Sequence, residues 1–243
     1  MNVPATGGKH QRSYIPAAGF HWLLPLFDFV TRLTGADAAR SALLQQAELR
    51  PGQQILDIGC GTGTLAILLK QLHPQTEVVA LDPDPKALAL ARRKAQRAAV
   101  SPRFDQGFSD ALEYPTDSFD HVFSSFMFHH LRSYQKEETV REIRRVLKPG
   151  GYLHLLDFRG PNTGDTRAVT RWFHSRNILR DNAETRMLEL ITRAELAEAH
   201  VVRRQTVVFG FAHIAYYQAC ALKSPFSKEP RNLVRFPEGS ARR

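Results

Sequence analysis

ILDIGCGTGTLAILL, residues 55–69, decides the fold. A short apolar run (QQILDIG, 53–59) ends in glycines and passes directly into a segment of helical spacing (TLAILLKQL, 64–72). A continuous apolar run of that length suits a buried parallel strand. The alternation continues outward from it. EVVALD (77–82) is a second strand, and PKALALARRKAQRAA (85–99) is a helix with proline at its start. RFDQG (103–107) and SFDHVFSS (118–125) are further strands, and QKEETVREIRRVL (135–147) is an amphipathic helix. Lys148-Pro149-Gly150-Gly151 stops that helix and launches GYLHLLDF (151–158), a fifth strand. Such alternation predicts a mostly parallel sheet with helices on both faces.

The two ends depart from this rhythm. After a helical stretch (167–198), VVRRQTVVF (201–209) and AHIAYYQACAL (212–222) are separated only by Gly210-Phe211. So short a link makes an antiparallel hairpin and cannot make a parallel crossover. In front, residues 13–50 read as helices with an aromatic-rich patch at 14–30, and SALLQQAEL (41–49) as a helix ended by Arg50-Pro51-Gly52. The expected organisation is a helical cap over 1–50, an α/β domain over 51–222 with a helical insertion at 159–198, and a basic tail over 223–243.

Composition narrows the function classes. Of the 243 residues 43% are hydrophobic, enough for a sizeable core and too many for a disordered chain. No run approaches the roughly 18 apolar residues that cross a bilayer. Cys60 and Cys220 form no disulfide framework, and the first residues lack a signal peptide's apolar core. The expectation is a cytoplasmic protein. The net charge of +9 is uneven, because the last 21 residues hold six basic and two acidic side chains. That tail suits weak contact with anionic surfaces, so the charge by itself does not argue for a nucleic-acid enzyme.

The loop after the first strand gathers free backbone N–H groups at a helix start, beside the carboxyl ends of parallel strands. Its glycines stand at 59, 61 and 63, with Asp57 ahead of them and Thr64 where a strict dinucleotide fingerprint wants glycine. Asp82, ending the next strand, is placed to accept hydrogen bonds from a ribose diol. The two features together point to an adenosine-containing ligand.

These residues resemble a known family. ILDIGCGTGTLAILL is similar to motif I of the class I S-adenosylmethionine-dependent methyltransferases, and ALDPDPKALALARRKA to their acidic loop. FDHVFSSFMFHHL and VLKPGGYLHLLDF resemble the fourth- and fifth-strand motifs, and the nearest subgroup is the ubiquinone/menaquinone-biosynthesis-like enzymes. The resemblance spans about residues 45–222. It implies a Rossmann-like, seven-stranded sheet whose last strand is antiparallel. It also implies S-adenosylmethionine as cofactor, with S-adenosylhomocysteine as product. By resemblance Gly59, Cys60, Gly61 and Gly63 surround the methionine part, and Asp57 supports the loop. Asp82 holds the ribose, Pro83 lies near the adenine, and Ser124 completes the set. Phe108 stands where the family often has a polar adenine contact. Either Ser109 and Asp110 supply that contact or Phe108 packs on the ring.

Methyl transfer needs an acceptor lone pair in line with the S–CH3 bond, and an oxygen or nitrogen acceptor also calls for a base. His129 and His130, in the loop after the fourth strand, are the base candidates; loop support is their other reading. No third ligand stands at a recognisable metal-site spacing. Residues 14–30 would either roof an acceptor pocket or pack as helices on the sheet's flank, and 159–198 would form the pocket's other wall, with Tyr14, His21, Trp22, Arg171, Trp172 and His174 as contacts. The expected acceptor is a small hydrophobic or aromatic molecule, quinone- or lipid-like. Two alternatives stand beside it. A nucleic-acid amino-methyltransferase usually carries an Asn/Asp-Pro-Pro-Tyr motif, where this chain has Ser124-Ser125-Phe126-Met127. The other is a catalytically silent cofactor-binding scaffold.

Overall fold

The computed structural model describes residues 35–160, 182–207 and 212–222. Helix α1 (Ala36–Gln45) precedes strand β1 (Gln54–Ile58), and α2 (Thr64–Leu72) connects to β2 (Glu77–Asp82). Helix α3 (Pro85–Arg97), β3 (Arg103–Gln106) and β4 (Phe119–Ser125) follow. A single 3-10 turn (Phe128–His130) then leads to α4 (Ser133–Val146) and β5 (Leu147–Phe158). The chain closes through α5 (Glu184–Arg193), β6 (Leu196–Val207) and β7 (Ala212–Ala221).

The strands make one sheet in the order β3-β2-β1-β4-β5-β7-β6. The first five are parallel, and β7 runs antiparallel to both β5 and β6. The strand order reverses beside β1, where β2 lies on one side and β4 on the other, so a crevice opens at their carboxyl ends. Period-two alternation splits the core. Leu56, Ile58, Val122, Leu153 and Leu155 pack with Val140 and Ile143 of α4 and Met187 and Ile191 of α5. Ile55, Val78, Ala80, Phe123 and Leu156 pack on the other face with Leu43 and Leu44 of α1 and Leu65 and Leu69 of α2.

Three boundaries differ from the sequence reading. Helix α1 spans Ala36–Gln45 rather than 41–49, and the chain enters it from Gly35 in the left-handed conformation (φ 84°). Strand β5 starts at Leu147, ahead of the Pro-Gly-Gly signal. Leu147 pairs with Phe119, and a register shift between Phe119 and His121 absorbs the glycine turn. The largest difference is at 196–198, expected as helix and found as strand. Glu195 (φ 61°) and Glu198 (φ 55°) take left-handed backbone, which no α-helix accommodates. The strand then bulges between Ala197 and His200 and between Val201 and Arg203. No helix among the described residues is long and apolar enough to cross a membrane.

Candidate functional site

A cavity of about 410 Å³ occupies the crevice at the strand ends. That volume lies within the ~300–1,000 Å³ typical of small-molecule sites. Gly59, Gly61, Asp82 and Pro83 line one side and Phe108, Ser109 and Asp110 a second. Phe126, Met127, His130, Leu131 and Tyr134 close the third.

The three loop glycines do different jobs. A Cβ on Gly59 would lie 2.2 Å from Cγ of Met127, so this glycine lets the turn after β4 close over β1. A Cβ on Gly63 would lie 2.8 Å from Cβ of Ala91 and 3.0 Å from Phe104, so Gly63 packs α2 against α3 and β3. At Gly61 (φ 53°) an added Cβ meets no protein atom within 4 Å, because that side is open to the cavity. The loop's cavity-facing position is therefore Gly61, whereas Gly63 serves packing.

Asp82 knits this loop to the second strand. One carboxylate oxygen accepts the Gly61 N–H at 2.8 Å and the other the Asp84 N–H at 2.9 Å. Asp84 in turn caps α3 by accepting the Lys86 N–H. A carboxylate has about four lone-pair sites, so Asp82 keeps acceptor capacity for a ligand in the cavity. Burial raises its pKa to about 6, against the pull of the Asp84 and Gly61 amides and with the Asp84 charge adding to the rise. Asp57 lies fully buried beneath the loop, and neither of its oxygens has a partner of normal hydrogen-bond geometry among the described residues. Burial raises it to about 7; the Arg40 charge opposes, Asp82 adds to the rise, and the Ala66 N–H opposes.

Besides the buried Asp57, three residues implicated by resemblance do not line the cavity. Ser124 is buried and its hydroxyl donates to the Ile58 carbonyl at 3.1 Å, tying β4 to β1. The Cys60 thiol packs against the α1/α2 core, and burial pushes its pKa well up, so it is a small apolar filler. Gly63 is the third. Ser109 lines the cavity while its hydroxyl shares a 2.9 Å hydrogen bond with Thr139 of α4.

The two histidines part company. His130 lines the cavity, and burial together with the neighbouring His129 lowers its pKa to about 3, so it is neutral. His129 turns back instead: its Nδ1 lies 2.7 Å from Asp157 at the end of β5, and its backbone N–H reaches the same carboxylate at 3.1 Å. Sequence reasoning passed over Asp157. Its signal was an acidic residue closing the otherwise apolar run LLDF. Tyr14, His21, Trp22, Arg171, Trp172 and His174, and the basic tail, lie outside the described residues.

A family model described as a methyltransferase domain matches residues 55–151. A demethylmenaquinone methyltransferase of Deinococcus radiodurans is 37% identical over 175 residues, covering 71% of this chain and 72% of the relative. The chain belongs to the class I S-adenosylmethionine-dependent methyltransferases of the ubiquinone/menaquinone-biosynthesis type. A second demethylmenaquinone methyltransferase, from Thermus thermophilus, is 38% identical over 160 residues, covering 65% of this chain and 72% of that one. The phosphoethanolamine N-methyltransferase 2 of Haemonchus contortus, crystallised with S-adenosyl-L-methionine, shares the fold. Its TM-score is 0.72 at 16% identity, covering 85% of this chain and 58% of that one. This methyltransferase therefore has S-adenosylmethionine as its methyl donor, and its crevice is shaped for a ligand of that kind. Gly61 leaves the approach to the loop clear, and Asp82 offers acceptor sites beside it.

Proposed function

We propose that this methyltransferase alkylates a small aromatic acceptor of the quinone type, taken in its reduced, hydroxyl-bearing form. The observation that carries the reading is the part of the cavity lining where Phe126, Met127, Leu131 and Tyr134 present apolar and aromatic surface alongside the polar loop. Phe126 holds its place in a left-handed backbone conformation (φ 55°), braced by Phe158 at 5.2 Å and by the Arg40 guanidinium over its ring at 5.4 Å. Such strain persists where the surroundings fix it, and it sets this ring on the cavity wall. The names of the Deinococcus and Thermus relatives support the same class of acceptor. An oxidised quinone has no ionisable hydroxyl and an electron-poor ring, so the nucleophile is the hydroquinone.

On the cofactor side, Asp82 takes the ribose hydroxyls, and Gly59 and Gly61 admit the methionine end. Pro83, Phe108, Ser109 and Asp110 border the adenine. When bound, the cofactor supplies an electrophilic methyl group on a sulfonium. Replacing Asp82 with Ala is expected to weaken S-adenosylhomocysteine binding about 10- to 150-fold. That is the loss of one charge-assisted hydrogen bond of roughly 1.5–3 kcal/mol. Wild-type affinity is also expected to fall as pH drops through about 6, where Asp82 gains its proton, and the Ala variant to lose that step. Titration calorimetry at two pH values reads both, and unchanged affinity in the variant removes Asp82 from the site.

The acceptor reading is tested by supplying labelled S-adenosylmethionine with a reduced, short-chain demethylmenaquinone, a phospholipid headgroup amine and ribosomal RNA in parallel. Label in the hydroquinone supports it. Label confined to RNA overturns it, and cofactor binding without transfer to any acceptor points to a silent scaffold.

A further inference from the structure

We propose that Lys94 is a positioning residue for the cofactor loop: its ammonium holds Thr62 and Thr64, on either side of Gly63, and keeps the loop in its binding shape before the cofactor arrives. The inference deepens the cofactor-side reading given above and rests on it. It adds a residue that lies outside the cavity and acts on the ligand only through the loop.

The geometry is a two-point grip. Nζ of Lys94 lies 3.1 Å from Oγ1 of Thr62 and 2.9 Å from Oγ1 of Thr64. An ammonium only donates, so both hydroxyl oxygens accept. Lys94 stands three residues after the buried Ala91, on the inward side of α3, whereas its neighbours Arg92 and Arg93 are exposed. A lysine with nothing to hold keeps its head in water and its side-chain freedom. Here the stem reaches a loop 30 residues back in the sequence.

Helix stability does not explain the placement. Thr62 and Thr64 flank Gly63, the N-cap of α2, which makes no side-chain capping bond. The start of a helix is its positive end, where a carboxylate is favoured and an ammonium is not. The negative end of α3 already has Arg97 in its last turn.

The grip fixes a loop that is otherwise costly to order. Gly59, Gly61 and Gly63 all take left-handed backbone, at φ 70°, 53° and 75°. Glycine visits other conformations as readily, so the loop has little preference of its own for this shape. Its restraints come from the elements around it. Asp82 of β2 accepts the Gly61 N–H at 2.8 Å and the N–H of Asp84, which caps α3. Further along the same helix, Ala91 packs on Gly63 and Lys94 takes the threonines on both sides. Helix α3 thus restrains the loop from its first turn through Asp84 and Asp82, and from its later turns through Ala91 and Lys94. Gly61, between those restraints, keeps its open side toward the cavity. A ligand that needs the loop in this shape binds in proportion to the fraction of molecules that already have it.

The test uses the full chain with S-adenosylhomocysteine as probe, so it does not depend on the acceptor. Lys94→Met keeps the apolar stem and removes both bonds. Its affinity by titration calorimetry is expected to fall about 10-fold or more, the weight of one charge-assisted hydrogen bond. Hydrogen exchange of the free protein separates positioning from general destabilisation. The Gly61 and Gly63 amides, bonded to Asp82 and to the Cys60 carbonyl, should exchange about 10-fold faster in the variant. The amides of β1 should be unchanged, and saturating S-adenosylhomocysteine should return the loop amides to wild-type protection. The double variant T62V/T64V removes the same bonds without touching α3, and it carries the test if Lys94→Met does not fold. It should reproduce the loss, and adding Lys94→Met to it should weaken binding little further. Wild-type affinity in either variant overturns the proposal, as does exchange that quickens in β1 as much as in the loop. The cofactor-loop reading fails by a different result, a folded Gly61→Val protein that binds normally. Loop exchange in Lys94→Met then decides the grip alone: faster exchange at Gly61 and Gly63 supports it, and unchanged exchange overturns it.

Discussion

Replacing Gly61 with Val is expected to abolish S-adenosylmethionine binding while leaving the domain folded. The new side chain meets no protein atom near its Cβ, so the fold itself is not overpacked. Its cost to stability is the left-handed backbone (φ 53°), about 1–2 kcal/mol for a residue with a Cβ. In a chain of this size that lowers Tm by roughly 2–8 °C. The cavity loses the space instead. With roughly 3 kcal/mol of overpacking against the ligand, affinity falls about 100-fold or more. Neither flanking glycine offers this separation. Gly59→Ala drives a Cβ into Met127 and Gly63→Ala drives one into Ala91, so both would lose binding by disturbing the packing. Calorimetry with a melting curve reads the two effects independently. A folded Gly61→Val protein that binds normally would move the ligand off this loop.

The same glycines show how far a sequence carries the argument. The strand, loop and helix over 54–72 were legible because apolar runs and glycines state backbone demands directly. Which glycine faces the cavity was not legible. It depends on Ala91, Phe104 and Met127, contributed by α3, β3 and the turn after β4. Ser124 was misplaced for a related reason. Residues alternate faces along β4, but the loop sequence does not say which one at the strand end turns toward Ile58. The antiparallel close was legible from a two-residue link, because no crossover fits it. The start of β6 was not, since LAEAHVVRRQTV lies at the sheet edge and alternates weakly enough to pass for a polar helix. Asp157 shows the limit most directly. Its partner lies 28 residues away in sequence, and only the pairing of β4 with β5 brings the two strand ends together.

A second large effect is expected at a pair of histidines well away from the crevice. His121 of β4 and His154 of β5 are 4% and 1% exposed, and His121 Nδ1 lies 3.1 Å from His154 Nε2. That bond requires one nitrogen to donate and the other to accept, so the pair cannot hold two protonated rings and keep it. His154 Nδ1 has no partner among the described residues, and Phe123 stacks on the His154 ring at 4.6 Å. A charge there would find no water. Burial accordingly lowers His121 to about 4, partly opposed by Asp120, and lowers His154 to about 3, with His121 adding to the effect. In the unfolded chain both rings take protons below about pH 6.5. Unfolding therefore absorbs protons between about pH 6.5 and 4, and the pair's contribution to stability is lost as pH falls through that window. At about pH 5 each ring costs roughly 2 kcal/mol relative to neutral pH. Asp57 and Asp82, raised to about 7 and about 6, act with the opposite sign over part of the same range, so total stability alone would blur the effect. The double variant H121F/H154F isolates it, because both carboxylates are common to the two proteins. At about pH 7.5 the variant should match wild type within roughly 1 kcal/mol, since apolar rings of similar shape replace both partners. At about pH 5 it should be more stable by roughly 4 kcal/mol, or about 8–16 °C in Tm. Urea unfolding at the two pH values measures the difference, and a gap that does not widen on acidification would mean these imidazoles are not held neutral in the folded protein.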